Sequence, residues 1–147
     1  MSGNVLVRDI MTKNVKVVRE DTTLHEVIAT FSSFDIDSIV VVQGERPIGI
    51  ITTKDALTRG FEHGMPVSAI KAGTVASSPL TTIEEEDSVE QAAELMRRKK
   101  VKHLPVVRRD RLVGIISDTD IIFAMPSMLT RMEEVCRPEK QPTTAVH

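Results

Sequence analysis

Gly49-Ile50-Ile51-Thr52-Thr53-Lys54-Asp55 and, 65 positions later, Gly114-Ile115-Ile116-Ser117-Asp118-Thr119-Asp120 follow one pattern: a glycine, two isoleucines, a hydroxyl, two variable residues and a carboxylate. The match extends outward without a gap. Arg46-Pro47-Ile48 lies over Arg111-Leu112-Val113, and Ile39-Val40-Val41-Val42 over Leu104-Pro105-Val106-Val107. Identities are few, but apolar runs, a glycine, a hydroxyl and an aspartate at one spacing mark an internal repeat.

Both copies read alike. Two β-branched runs, separated by Gln43-Gly44-Glu45 in the first copy and Arg108-Arg109-Asp110 in the second, make each pair a hairpin. Upstream, Leu24, Val27, Ile28 and Phe31 recur at helical spacing, and Val89, Ala92, Ala93 and Met96 repeat them, so each copy has a helix with one apolar face. Asp21-Thr22-Thr23 and Asp87-Ser88 supply side-chain oxygens that cap such helices. An extended piece precedes each helix, at 15–18 and 80–83, and a short helix follows each motif, at 55–59 and 120–124. The unit is β-α-β-β-α and spans about 50 residues, too few to bury an adequate core alone.

The expected fold is therefore α+β: two such repeats packed through their sheets with pseudo-two-fold symmetry, their strands apolar on both faces. The first repeat is expected at 7–60 and the second at 75–125. Between them, 61–74 reads as a linker with Gly64, Pro66 and Gly73 around a turn of helix at 67–71. The remainder, 126–147, reads as a C-terminal helix using Met128, Leu129 and Met132, followed by a loose tail from Pro138.

The paired motif carries the chemistry. A Thr or Ser at a strand-to-helix junction caps the helix, and beside it free N–H groups and the positive end of the helix dipole can receive phosphate oxygens. An Asp one turn later points towards the same mouth, where its carboxylate can accept both hydroxyls of a ribose. Hydroxyl for phosphate and carboxylate for ribose suit a nucleotide. The plainer alternative is that Thr52, Asp55, Ser117 and Asp120 only cap two ordinary helices.

The sequence resembles a tandem pair of CBS domains, a Bateman module, over residues 7–125. The resemblance rests on Asp9-Ile10-Met11-Thr12, Leu104-Pro105-Val106-Val107 and both glycine-to-aspartate motifs. It implies a disc-like module with two pseudo-symmetric clefts for adenine nucleotides or related adenosyl ligands, used for sensing. Carried over, Thr52 and Asp55 serve one cleft and Ser117 and Asp120 the other. The resemblance further implies that each cleft draws on the opposite copy. The first would then face Lys102 and His103, with Lys100 nearby, which suits phosphate. The second would face Asp37 and Ser38 and carries Asp118 besides, so a bare phosphate there meets like charge. That cleft is expected to be empty, to need Mg²⁺, or to hold a less anionic ligand such as an S-adenosylmethionine-like one. No cofactor is expected to be obligatory.

Composition narrows the alternatives. Of 147 residues only four are aromatic, all Phe, which leaves no Trp or Tyr platform for stacking bases, and a formal charge of −2 argues against general affinity for nucleic acid. Without Trp or Tyr, adenine would be held between aliphatic groups such as Val15, Ile39, Leu80 and Leu104, with an affinity of micromolar order, on the order of −8 kcal/mol. Arg97-Arg98-Lys99-Lys100-Val101-Lys102-His103 reads first as the solvated end of an amphipathic helix. No apolar run approaches the roughly 20 residues that span a bilayer, and the start lacks the n- and h-regions of a signal peptide, so a cytoplasmic protein is expected. Cys136 can form no internal disulfide, and no catalytic constellation, zinc motif or EF-hand is visible, so neither enzyme activity nor a bound metal is expected.

The functional expectation is a regulatory module that binds AMP, ADP, ATP or a related adenosyl ligand and acts on an unidentified partner protein or on its own assembly. With no further domain expected, a homodimer burying Ala56-Leu57 and Ile121-Ile122-Phe123 is what the resemblance implies. The alternatives are a ligand-free scaffold and an RNA- or DNA-binding variant working through Arg97 to Lys102.

Overall fold

The structure is a computed structural model that describes residues 5–77, 80–130 and 132–136. Its elements, in chain order, are α1 (Val7–Ile10), β1 (Val17–Arg19), α2 (Leu24–Phe34), β2 (Ser38–Gln43), β3 (Arg46–Thr52), α3 (Thr53–His63), α4 (Ala72–Val75), β4 (Ile83–Glu84), α5 (Val89–Lys99), β5 (His103–Arg108), β6 (Arg111–Ser117), α6 (Asp118–Ala124) and α7 (Glu133–Cys136). Single 3₁₀ turns stand at Val67–Ala69 and Pro126–Met128. The strands form two three-stranded sheets, β1-β2-β3 and β4-β5-β6. In each, the outer strand runs parallel to the middle one and the hairpin is antiparallel. The fold is the expected α+β pair.

Each sheet carries its own helices. Thr23 and Ser88 cap α2 and α5, their hydroxyls accepting the N–H of Glu26 and of Gln91. Leu24, Val27 and Phe31 pack with Ile39, Val41 and Ile51 in one core, and Val89, Ala92, Ala93 and Met96 with Leu104, Val106 and Ile116 in the other. Val40, Val42 and Val107 are also buried but on the opposite face of the sheets, where β3 meets β6. At that seam Leu112 N–H donates to Glu45 O at 2.9 Å, and Arg111 Nε lies 3.3 Å from Glu45 Oε1. The two hairpin turns differ. The first puts its positive φ on Gly44, whereas the second has both Arg109 (φ 53°) and Asp110 (φ 65°) in the left-handed region.

The segment ahead of each first strand crosses to the other repeat. α1 buries Val7 in the second core, Val7 N–H donates to Asp87 O at 2.8 Å, and Thr12 and Ile115 exchange two backbone bonds at 2.9 and 3.0 Å. Likewise α4 buries Ala72 and Val75 in the first core, with Ala72 N–H on Thr22 O at 2.7 Å and Ser77 N–H on Ile50 O at 2.9 Å. This crossing explains the motif glycines. A Cβ at Gly114 would lie 2.9 Å from Thr12 O, and one at Gly49 2.8 Å from Ala76 Cβ. The glycines admit a crossing segment, and the first strands begin later than the apolar runs do, at Val17 and Ile83.

Two further differences concern the helical faces. α3 runs through His63, beyond the expected 55–59, and leaves Leu57 and Phe61 exposed. On the second repeat, Met128, Met132 and Val135 fold back and are buried against α5 and α6. Ala93 is consequently buried, whereas Ile28 at the equivalent place on α2 is 41% exposed. The expected loose tail at 138–147 lies outside the described residues, as does the side chain of Cys136. Among the described residues no helix is long and apolar enough to cross a membrane.

Candidate functional site

Both motifs form complete capping boxes. Thr52 Oγ1 accepts the N–H of Asp55 at 3.1 Å while Asp55 Oδ2 accepts the N–H of Thr52 at 3.0 Å. Ser117 and Asp120 repeat this at 3.0 and 2.9 Å. Capping and binding are therefore not exclusive: the cap holds each carboxylate in place by one oxygen, Oδ2. Among the described residues, no hydrogen bond occupies Oδ1 of Asp55 or Asp120. Ser77 Oγ adds a bond of 3.2 Å to Asp55 Oδ2, so the crossing segment braces the first carboxylate.

Each carboxylate opens into a cleft between the repeats. The larger, about 840 Å³, is lined by Val15, Lys16, Ile36, Ser38, Ser117 and Asp120 among others. The smaller, about 470 Å³, includes Ile50, Thr52, Asp55, Leu80, Lys100 and Val101. Each thus combines the motif of one repeat with the pre-strand residues of the other. Asp37, Lys102 and His103 line both, with His103 Nε2 3.3 Å from Asp37 Oδ1.

Equivalent positions of the two repeats carry opposite charge. Asp35 and Asp37 at the larger cleft correspond to Lys100 and Lys102, and Asp118 on α6 corresponds to Thr53 on α3. The larger cleft holds four carboxylates (Asp35, Asp37, Asp118, Asp120) against two lysines (Lys16, Lys102). The smaller has three lysines (Lys54, Lys100, Lys102) against two carboxylates (Asp37, Asp55). The backbone follows the same division. The Thr119 N–H at the start of α6 is taken by Asp118 Oδ1 at 2.7 Å; Lys54 N–H, its counterpart on α3, meets no such carboxylate because Thr53 stands where Asp118 does. The smaller cleft is thus the more cationic of the two.

A CBS domain model matches residues 7–62 and again 72–127. The chain belongs to the CBS domain family. Among relatives, a protein of Methanopyrus kandleri is 31% identical over 134 residues, 90% of this chain and 66% of that protein's length. Hypoxic response protein 1 of Mycobacterium tuberculosis is 26% identical, covering 89% of this chain and 94% of its own. The crystal structure of Hypoxic Response Protein I with two coordinated zinc ions superposes with a TM-score of 0.74 at 26% identity, over 82% of this chain and 99% of that one. A CBS domain pair in complex with 5′-methylthioadenosine and S-adenosyl-L-methionine superposes with a TM-score of 0.76 at 21% identity, over 85% of this chain and 98% of that one, and shows the shared fold. Among the described residues of this chain, no group of three or more His, Cys, Asp or Glu side chains is arranged to hold a metal.

Of the residues expected to line the clefts of this CBS pair, Val15, Ser38, Thr52, Asp55, Leu80, Lys102, His103, Ser117 and Asp120 do so. Ile39 does not, and neither does Leu104. Both are fully buried on the helix-facing side of their strands, because strand residues alternate and Ser38 and His103 take the cleft-facing side. The aliphatic walls are Val15, Ile36, Ile115 and Ile122 in the larger cleft and Ile50, Leu80 and Val101 in the smaller. No sequence pattern singles out Lys16, which lines the larger cleft with its Nζ 4.0 Å from the Phe34 ring centre. Within the basic run, Arg97 is paired with Glu94 at 2.6 Å, and that hydrogen bond holds the exposed Glu94 carboxyl below its ordinary pKa.

Proposed function

We propose that this CBS pair is a regulatory module that binds adenosyl ligands, with the phosphate-bearing ones taken by the smaller cleft. One observation carries the reading: the same capped hydroxyl and carboxylate stand at both clefts, but the surrounding charge is reversed between them. In the smaller cleft, Asp55 Oδ1 would accept the ribose hydroxyls, the Lys54 N–H and Lys102 would meet phosphate, and Leu80, Ile50 and Val101 would wall the adenine. Asp120 would play the ribose role in the larger cleft, which suits a neutral or cationic adenosyl group, or a phosphate accompanied by Mg²⁺. Another CBS pair of the same fold is solved with S-adenosyl-L-methionine and 5′-methylthioadenosine, which supports the class of ligand.

The output passes through a second copy or a separate protein. Ile28, Leu57, Phe61 and Met65 flank an apolar groove of about 780 Å³ between α2 and α3, the face a homodimer would bury. Titrating AMP, ADP and ATP calorimetrically into the wild type, Asp55→Ala and Asp120→Ala tests the assignment. The tight phase should vanish in Asp55→Ala and persist in Asp120→Ala; equal losses would refute the division of labour. Absence of heat from all adenosyl ligands would leave a scaffolding role as the better reading.

A further inference from the structure

Three side chains belong to both clefts at once: Asp37, Lys102 and His103. Asp37 and Lys102 are held by matching backbone bonds, Thr53 N–H to Asp37 O at 3.1 Å and Asp118 N–H to Lys102 O at 3.0 Å. These two therefore sit against the first residue of a motif helix each. His103 is largely covered, with 15% of its side chain exposed, and its Nε2 lies 3.3 Å from Asp37 Oδ1.

We infer that the two clefts are coupled through this shared group, so that a phosphate bound in the smaller cleft weakens binding of a second phosphate in the larger one and spares or strengthens a cationic adenosyl ligand there. The inference rests on the ligand class proposed above. A phosphate beside Thr52 and Asp55 draws Lys102 towards itself. The larger cleft, which Lys102 also lines, is then left with less positive charge. The carboxylates of Asp35, Asp37, Asp118 and Asp120 line that cleft, with Lys16 beside them. A second anion consequently meets more repulsion than it would with the smaller cleft empty, whereas a sulfonium or amine meets less. Occupancy of one site is thus felt at the other without any movement of the sheets. Linkage requires the effect to be reciprocal.

Intrinsic asymmetry alone would also make the second phosphate bind more weakly, so the test must separate the two causes. AMP is titrated into the full chain and into Asp55→Ala, with Asp55→Asn as a milder second variant that keeps an acceptor for the cap. Coupling predicts that the larger cleft takes AMP on the order of tenfold more tightly when the smaller cleft has been disabled than when it is filled. In Asp37→Asn that difference should shrink to about twofold, and S-adenosylmethionine should lose the advantage that saturating AMP gives it in the wild type. A larger cleft that takes AMP no better in Asp55→Ala and Asp55→Asn than in the AMP-saturated wild type overturns the coupling while leaving the ligand class intact. If neither AMP nor S-adenosylmethionine binds the wild type, the functional reading falls and the coupling with it.

Discussion

Gly114→Ala tests the crossing of the N-terminal segment, on which the second cleft depends. A methyl at position 114 would lie 2.5 Å from Met11 Sδ, 3.0 Å from Met11 Cγ and 2.9 Å from Thr12 O. The thioether can swing away; the carbonyl cannot, because it accepts the N–H of Ile115 at 3.0 Å and its own residue donates to Ile115 O at 2.9 Å. Overpacking of this kind costs about 1–3 kcal/mol, and each backbone bond surrendered to relieve it about 1 kcal/mol. A loss of about 3 kcal/mol follows, or a fall in Tm of roughly 6–12 °C for a chain of this size. Urea unfolding followed by circular dichroism reads the loss, and hydrogen exchange at Thr12 and Ile115 shows where it falls. Adding Met11→Ala removes the two side-chain contacts and should restore only part of the stability. Gly114→Ala within about 0.5 kcal/mol of the wild type, or full rescue by Met11→Ala, would refute the close backbone approach.

Three other expectations are open to direct measurement. Replacing Arg109 with Asn together with Asp110 with Gly relieves two left-handed residues in the second hairpin turn and should raise stability by about 1 kcal/mol, read as a higher urea midpoint at unchanged slope. Met132→Ala empties a fully buried site where the C-terminal segment covers the second repeat, and should cost about 2–4 kcal/mol in the same assay. Phe61→Glu places a charge on a side chain that is 82% exposed in the single chain; it should leave the urea midpoint of the isolated chain nearly unchanged but abolish the proposed dimer in sedimentation, whereas unchanged sedimentation would count against that interface.

Much of this molecule is legible in its sequence because its strongest local signals agree with the tertiary structure. The duplication at 65 residues, the apolar faces of α2 and α5, the hairpins and the caps at Thr23, Ser88, Thr52 and Ser117 all follow from periodicity and short-range hydrogen bonding. What is not legible is the exchange of segments. α1 and α4 are four residues each, too short for a helical period to declare itself, and their burial is decided by a neighbour far along the chain. The motif glycines point to that close approach, but spacing alone does not distinguish it from a turn. Strand alternation does foretell that Ile39 faces away from Ser38, so its inward position is readable once the cleft-facing side is known. The sharing of Asp37, Lys102 and His103 between two clefts depends on how the sheets meet, and no single-repeat pattern contains it.

Reversed charge at equivalent positions is proposed to assign the two clefts different ligands. A crystal structure of the chain grown with AMP tests it most directly. Density is expected in the smaller cleft, with the ribose hydroxyls on Asp55 and the phosphate beside Lys102 and the Lys54 N–H. AMP seated on Ser117 and Asp120 with the Thr52 and Asp55 cleft vacant would contradict it.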